Sequence, residues 1–249
     1  VSESKLITID FNDFITDLVT YPCAFIKGPI VRRQRKLSYI KDEEGRTTVE
    51  ADEIIAPEFE RVDPFRIYPE PGVTNINDGY MFEHHPLSRM DLSDLIGVPG
   101  YDDDAIRKVL DIGNGQSWIN EDVELAKDEE ERKFHAFNRP TEIFDALEFW
   151  GKVSGKMLKE WGLEDEAEEM DEAREYDANV WIVGNYVIKA VLNYDPLGEK
   201  PYAKTSFIKH PGAFWGKGIP EIIEDLQGVC NAAARALVNN MGISSGPQV

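Results

Sequence analysis

Apolar residues recur at helical spacing near the start of the chain. Phe11, Phe14, Ile15 and Leu18, with Leu6 and Ile7 before them, fall on one face, and Pro22 ends the pattern. The first element is therefore expected to be an amphipathic helix. Residues 23–72, CAFIKGPIVRRQRKLSYIKDEEGRTTVEADEIIAPEFERVDPFRIYPEPG, are rich in β-branched and aromatic residues around an Asp-Glu-Glu-Gly turn at 42–45, which predicts a hairpin with a basic first strand. From Leu87 the period lengthens again through SRMDLSDLIGV, DDDAIRKVLDIG and INEDVELAKDEEERKFHAF, a helical insert over about 87–137. TEIFDALEFWGKVSG, DANVWIVGNYVIKAVLNYDP and PYAKTSFIKHPG return to strands, the second stretch folding back tightly across Gly184 and Asn185. With no βαβ rhythm, the class is α+β: a mixed or antiparallel β-rich body with flanking helices and a long C-terminal helix.

That last helix is the best specified element. Gly218 gives the chain freedom to turn, and Pro220 suits a first helical turn, where its missing N–H costs nothing. Ile222, Ile223, Leu226, Val229, Cys230, Ala233, Leu237 and Met241 then make one apolar stripe. Glu224, Gln227, Gly228, Asn231, Arg235 and Asn239 occupy the opposite face. A helix from Pro220 to about Gly242 is on the order of 35 Å long. Its small flanking residues Gly228, Ala232, Ala234 and Ala236 permit close neighbours on more than one side. Ile222, Leu226, Val229 and Leu237 are expected to be buried against their own subunit or a neighbouring helix.

Charge narrows the functions. The 249 residues carry 47 acids against 27 Lys and Arg, a formal net charge of -20, which argues against a sequence-independent grip on nucleic acid by the bulk surface. The 42 % of hydrophobic residues still supply a core. Residues 164–177, EDEAEEMDEAREYD, hold nine acids against one Arg and are expected to be exposed and mobile. The dense positive run is Lys27, Arg32, Arg33, Arg35 and Lys36. Cys23 and Cys230, far apart and without a CxxC spacing, fit buried thiols of a reducing compartment. VSESKLITID lacks the pattern of a signal peptide, and no run of eighteen apolar residues occurs, so no membrane association is expected. A start without Met and a finish on SSGPQV read as part of a longer chain.

Candidate chemistry is sparse. His84 and His85 are adjacent, and neighbouring strand residues point to opposite faces, so one ion cannot easily take both; one buried and one exposed histidine, and no metal, are expected. His135 and His210 are isolated. Among 47 acids, carboxylate pairs carry no signal. GNGQ at 113–116 and GKG at 216–218 lack the spacing and the Lys-Ser/Thr pair of a phosphate loop, and there is neither a GxSxG elbow nor a cysteine in a nucleophile motif. A hydrolase using His84 or His85 has nothing specific behind it, and a non-enzymatic protein without cofactors is expected.

FWGKGIPEIIEDLQGVCNAAARALVNNMGISSGP resembles the portal protein, or head-to-tail connector, of tailed bacteriophages. In that family an aromatic-Gly-x-Gly segment opens a long helix carrying Asp-Leu-Gln, an Asn one turn later, a second Asn-rich turn and an exit of small residues and Pro. The matching positions here are Trp215, Gly216, Gly218, Asp225, Leu226, Gln227, Asn231, Asn239, Asn240 and Pro247. ERVDPFRIYPEPGVTNINDGYMFEHHPLSRMDLSDL is similar to the portal wing segment, and ITDLVTYPCAFIKGPIV and VWIVGNYVIKAVLNYDPLGEKPY agree in the same order. The resemblance implies a wing-like α+β domain over 1–217, and over 218–249 the first stem helix and the start of a clip region.

It further implies a structural ring subunit of the virion, at the capsid vertex, through which double-stranded DNA is packaged and ejected. The implied partners are other copies of the chain, twelve to a ring in the family, the terminase large subunit, the major capsid protein and tail adaptor proteins. Glu224, Gln227, Asn231, Arg235 and Asn239 would then face a subunit seam or the channel. The alternative is an acidic β-rich virion adaptor or DNA-mimic module, which shares the charge but has no use for a long helix with two packable flanks. Arg32, Arg33, Arg35 and Lys36 would meet a neighbour's acids across the seam. Reversing Arg32 and Arg33 to Glu should therefore weaken assembly more at low salt than at high salt, because screening already blunts the attraction. Sedimentation at two ionic strengths checks this; equal assembly at both would leave the strand a solvated one.

Overall fold

The computed structural model describes the backbone of residues 3–41, 47–113, 143–161, 170–193 and 195–246, with side chains outside 3–10, 31–41 and 47–56. The protein is α+β, and every strand pairing among the described residues is antiparallel. It forms two compact units: residues 1–64 with 201–249, and residues 65–200. The sequence reading cuts at 217 instead, because periodicity does not show that the last fifty residues return to the first sixty.

In the first unit, helix α1 (Glu3–Thr20) precedes the hairpin of β1 (Ala24–Lys41) and β2 (Thr47–Val62). The residues between these strands, including the expected turn at 42–45, lie outside the described ones. Asp17 near the end of α1 is buried and accepts both Arg61 guanidinium hydrogen bonds, at 2.5 and 2.8 Å, which ties the helix to β2. The short strand β8 (Tyr202–Thr205) adds to the other edge of β1, pairing Phe25 with Lys204. Cys23, Ala24 and Phe25 are fully buried there.

Residues 206–218 wrap onto that corner. Backbone bonds between Ile208 and Lys217, at 2.9 and 3.2 Å, close a loop that presents Phe214 and Trp215 to Phe25. The aromatic-Gly-x-Gly motif has a steric cause. A Cβ on Gly216 would sit 2.4 Å from the Ile208 carbonyl oxygen, and one on Gly218 would sit 2.6 Å from that of Thr20. Only glycine allows this approach, and the chain leaves it directly into the last helix.

The second unit is a five-stranded sheet ordered β3-β4-β5-β6-β7. Its strands are β3 (Ile67–Pro69), β4 (Met81–Ser88), β5 (Ile143–Ser154), β6 (Glu175–Val183) and β7 (Tyr186–Leu192). β6 and β7 join at Gly184, whose φ is +58°, as the sequence predicts. Helices α2 (Arg89–Asp94) and α3 (Asp103–Ile112) cover one face, packing Leu92, Ile106 and Val109 on Phe144, Ala146 and Ile188. The Asp102 side chain caps α3 through the Asp104 and Ala105 amides, with acids in the first turn favoured by the helix dipole. Helix α4 (Gly155–Trp161) lies with a second cluster around Val153, Leu158, Ala178 and Val180. Of the expected insert over 87–137, α2 and α3 are seen, and 114–137 lie outside the described residues. Of the acidic stretch, 164–169 also lie outside. The expected mobility of its end is corrected, because Glu175–Asp177 open β6, paired to Ser154, Val153 and Lys152.

Phe25 carries the packing of the first unit. Phe25→Ala should lower stability by roughly 3–5 kcal/mol, read as the fall in the chemical unfolding midpoint, with faster amide exchange at 214–218. A loss too small to shift the midpoint would mean that the 206–218 segment is held elsewhere.

Candidate functional site

The final helix, α5 (Ile219–Ser244), has 26 residues, so it is about 39 Å long at 1.5 Å per residue. Gly218 is its N-cap, Pro220 lies in its first turn, and Glu221 pairs with Lys217 at 3.0 Å. The apolar stripe is present, and of the two covers expected for it, its own subunit or a neighbouring helix, the first is not seen among the described residues. Ile222 is 45 % exposed, and Leu226, Val229 and Leu237 are 65, 67 and 64 % exposed. No residue of α5 is buried, and every one from Pro220 to Ser244 is exposed. Glu224, Gln227, Asn231, Arg235 and Asn239 are equally exposed, with a Gln227–Asn231 bond of 3.2 Å one turn apart. Cys230 is exposed on this helix, whereas Cys23 is buried, so only one of the two thiols fits the expectation.

The backbone of Arg32, Arg33, Arg35 and Lys36 lies in β1, where the register sets Arg35 opposite Glu53 and Lys36 opposite Asp52 on β2. Their side chains lie outside the described ones.

A second group of candidate side chains sits on the face of the five-stranded sheet that α2 and α3 cover. Alternation along β4 puts Glu83 and His85 on one face, and register sets Glu148 of β5 directly opposite Glu83. His85 Nε2 lies 2.8 Å from Glu148 Oε2 and 3.4 Å from Glu83 Oε2. Glu148 Oε1 accepts from Asn179 Nδ2 at 2.9 Å and Trp150 Nε1 at 2.8 Å. The His85 ring stacks on Trp181 at 4.5 Å and 14°. Tyr101, bridging from the loop before α3, meets that indole edge-on, with the Lys189 ammonium over its ring. Burial, with the charge of Glu148 nearby, pushes the Tyr101 phenol above its ordinary range.

His84 does point the opposite way, bonding Asp145 at 2.9 Å, and it is the more buried of the pair. The sequence argument against a metal therefore has a sound premise about the two histidines. What it overlooks is the Glu-x-His spacing at 83 and 85, which needs no second histidine. Glu148 carries no local signal at all. No protein-family model matches the chain, and no curated protein is similar to it in sequence.

Burial opposes a charge on His85, but the bonds to Glu148 and Glu83 outweigh it and lift its pKa above 6.5. The folded state then holds this proton more tightly than the unfolded chain. Its contribution to stability is full below about pH 6.5 and is lost as pH rises through the folded value. Proton-detected NMR of the metal-free protein should find His85 titrating above the ordinary imidazole value of 6.5, and Glu148→Gln should lower its midpoint. An unmoved midpoint would mean that Glu148 does not hold the proton.

Proposed function

We propose that the protein is a structural, non-enzymatic subunit of a portal-like ring, assembled from copies of itself at the capsid vertex of a virion. The observation that carries the reading is α5: a 26-residue helix whose apolar stripe is exposed among the described residues. Isolated helices gain little from propensity and are stabilised by packing of an apolar face. A ring supplies that cover by setting each helix against a neighbour's, and the small residues along its flanks suit close approach. The motif resemblance supports the same reading, since the aromatic-Gly-x-Gly segment opens this helix and nothing else.

Double-stranded DNA would pass along the inner surface. DNA carries about one negative charge per 1.7 Å of axis, so a chain of net charge -20 repels it and lets it slide. Terminase, capsid protein and tail adaptors are the partners that such a ring would serve. The acidity alone would equally suit a DNA-mimic or adaptor module, which would appear in negative-stain images as particles without a central hole.

Two substitutions test the helix. Leu226→Asp should leave the isolated subunit within about 0.5 kcal/mol of its stability, because the side chain is exposed there. In an assembly it would bury an unpaired carboxylate, costing several kcal/mol, and rings should not form. Glu224→Gln should leave rings intact and alter DNA packaging if Glu224 faces the channel. Electron microscopy of both proteins decides: rings that survive Leu226→Asp would refute burial of this stripe, and rings lost in Glu224→Gln would put that carboxylate in a subunit contact.

A further inference from the structure

We propose that Glu83, His85 and Glu148 form a binding site for one divalent transition-metal ion, Zn²⁺ or Mn²⁺. This inference is independent of the ring reading. One ligand atom from each residue lies within 4.8 Å of the other two. Ligands at 2.0–2.1 Å around a tetrahedral ion are about 3.3 Å apart. The separations of 2.8 and 3.4 Å from His85 Nε2 to Glu148 Oε2 and Glu83 Oε2 bracket that spacing. Two of the three separations thus match the edge of a coordination shell, and the third lies within 4.8 Å.

The surroundings fix each ligand. Asn179 and Trp150 occupy Glu148 Oε1 and leave Oε2 turned toward His85. Trp181 sets the plane of the imidazole by stacking. Such outer contacts commonly orient metal ligands. The Glu83 and Glu148 side chains are 7 and 4 % exposed, and a divalent cation in place of the His85 proton would balance both buried carboxylates. The indole Nε1 of Trp181 is buried without a hydrogen-bond partner, and a water completing the ion's shell is an acceptor of the kind it lacks. His84 takes no part, since it bonds Asp145 on the other face.

The donor set selects the ion. One imidazole nitrogen with two carboxylate oxygens suits Zn²⁺ or Mn²⁺, whereas Ca²⁺ seeks six to eight oxygens and Mg²⁺ keeps most of its water. The ion would fasten β4 to β5 beside the contacts of α2 and α3.

The test is titration of chelator-treated protein with ZnCl₂, MnCl₂ and CaCl₂, with bound metal counted by mass spectrometry after gel filtration. One equivalent of Zn²⁺ or Mn²⁺ per chain is expected, with no retained Ca²⁺. Glu83→Gln should weaken binding about tenfold or more, while Cys230→Ser and His210→Ala should not change it. Absence of a stoichiometric ion in the wild-type protein overturns the proposal, as does an ion lost in Cys230→Ser or His210→Ala but kept in Glu83→Gln. Should Glu83→Gln fail to fold by circular dichroism, the wild-type Co²⁺ spectrum decides. Ligand-field bands without a thiolate charge-transfer band support the site, and a thiolate band overturns it.

Discussion

The first unit depends on the burial of Phe25. Residues 25–27 are the only part of β1 with partners on both edges, β2 on one side and β8 on the other, among the described pairings. The Phe25 ring fills the space between that ribbon and the returning segment, stacked on Phe214 and edge-on to Trp215. Lys204 adds to the same corner, donating to the Phe214 carbonyl at 2.5 Å with its ammonium 3.7 Å from the Phe214 ring centroid. The close approaches at Gly216 and Gly218 follow, because the segment must lie flat on the end of α1 to present its aromatic rings. The direction in which α5 leaves its unit is thus set by packing near residue 25, almost two hundred residues earlier.

In the second unit the corresponding constraint is register. Slipping β4 against β5 by one residue would move Glu83 and His85 to the opposite face and break their meeting with Glu148. The native register instead lines up Glu83, Glu148 and Trp181 across three strands. The two carboxylates of this row are tolerated in a half-covered sheet because His85 meets both, while Asn179 and Trp150 donate to Glu148. On one side of this row lies the apolar cluster of Phe144, Ala146 and Val183, so the polar and apolar halves of the sheet face are fixed together.

Local features of the fold were legible in the sequence. The helix ending before Pro22, the long hairpin, the β6–β7 turn and the start of α5 each follow from periodicity and punctuation within a short window. Two kinds of information were not. Periodicity shows which side of α5 is apolar, but not whether anything in the chain covers it, and Leu226 proves exposed. Nor does it show which distant residues meet: Glu148 reaches His85 across 63 positions only through sheet register, and residues 201–218 return to the first sixty through packing. The resemblance that directed attention to α5 likewise carried no sign of the carboxylate–histidine group, because Glu83 and His85 are ordinary residues until Glu148 stands opposite them.

The distribution of charge along α5 bears on how copies of so acidic a chain could associate. Charged residues make up 30 % of the sequence, yet from Leu226 to Ser244 Arg235 alone is charged. Glu221, Glu224 and Asp225 all lie in the first two turns, where the helix dipole favours them and where Lys217 already pairs with Glu221. A solvated helix in this protein would be expected to carry acids throughout its length. Their withdrawal from the distal two thirds removes the like-charge repulsion that two neighbouring copies would meet at closest range. Beyond about 8 Å, salt screens what remains at physiological ionic strength. In the proposed ring, an apolar, nearly uncharged stripe would allow attraction by burial while the acids of each copy stayed distant from the seam. The same arrangement would leave the bulk of the charge free to face solvent or a passing polyanion.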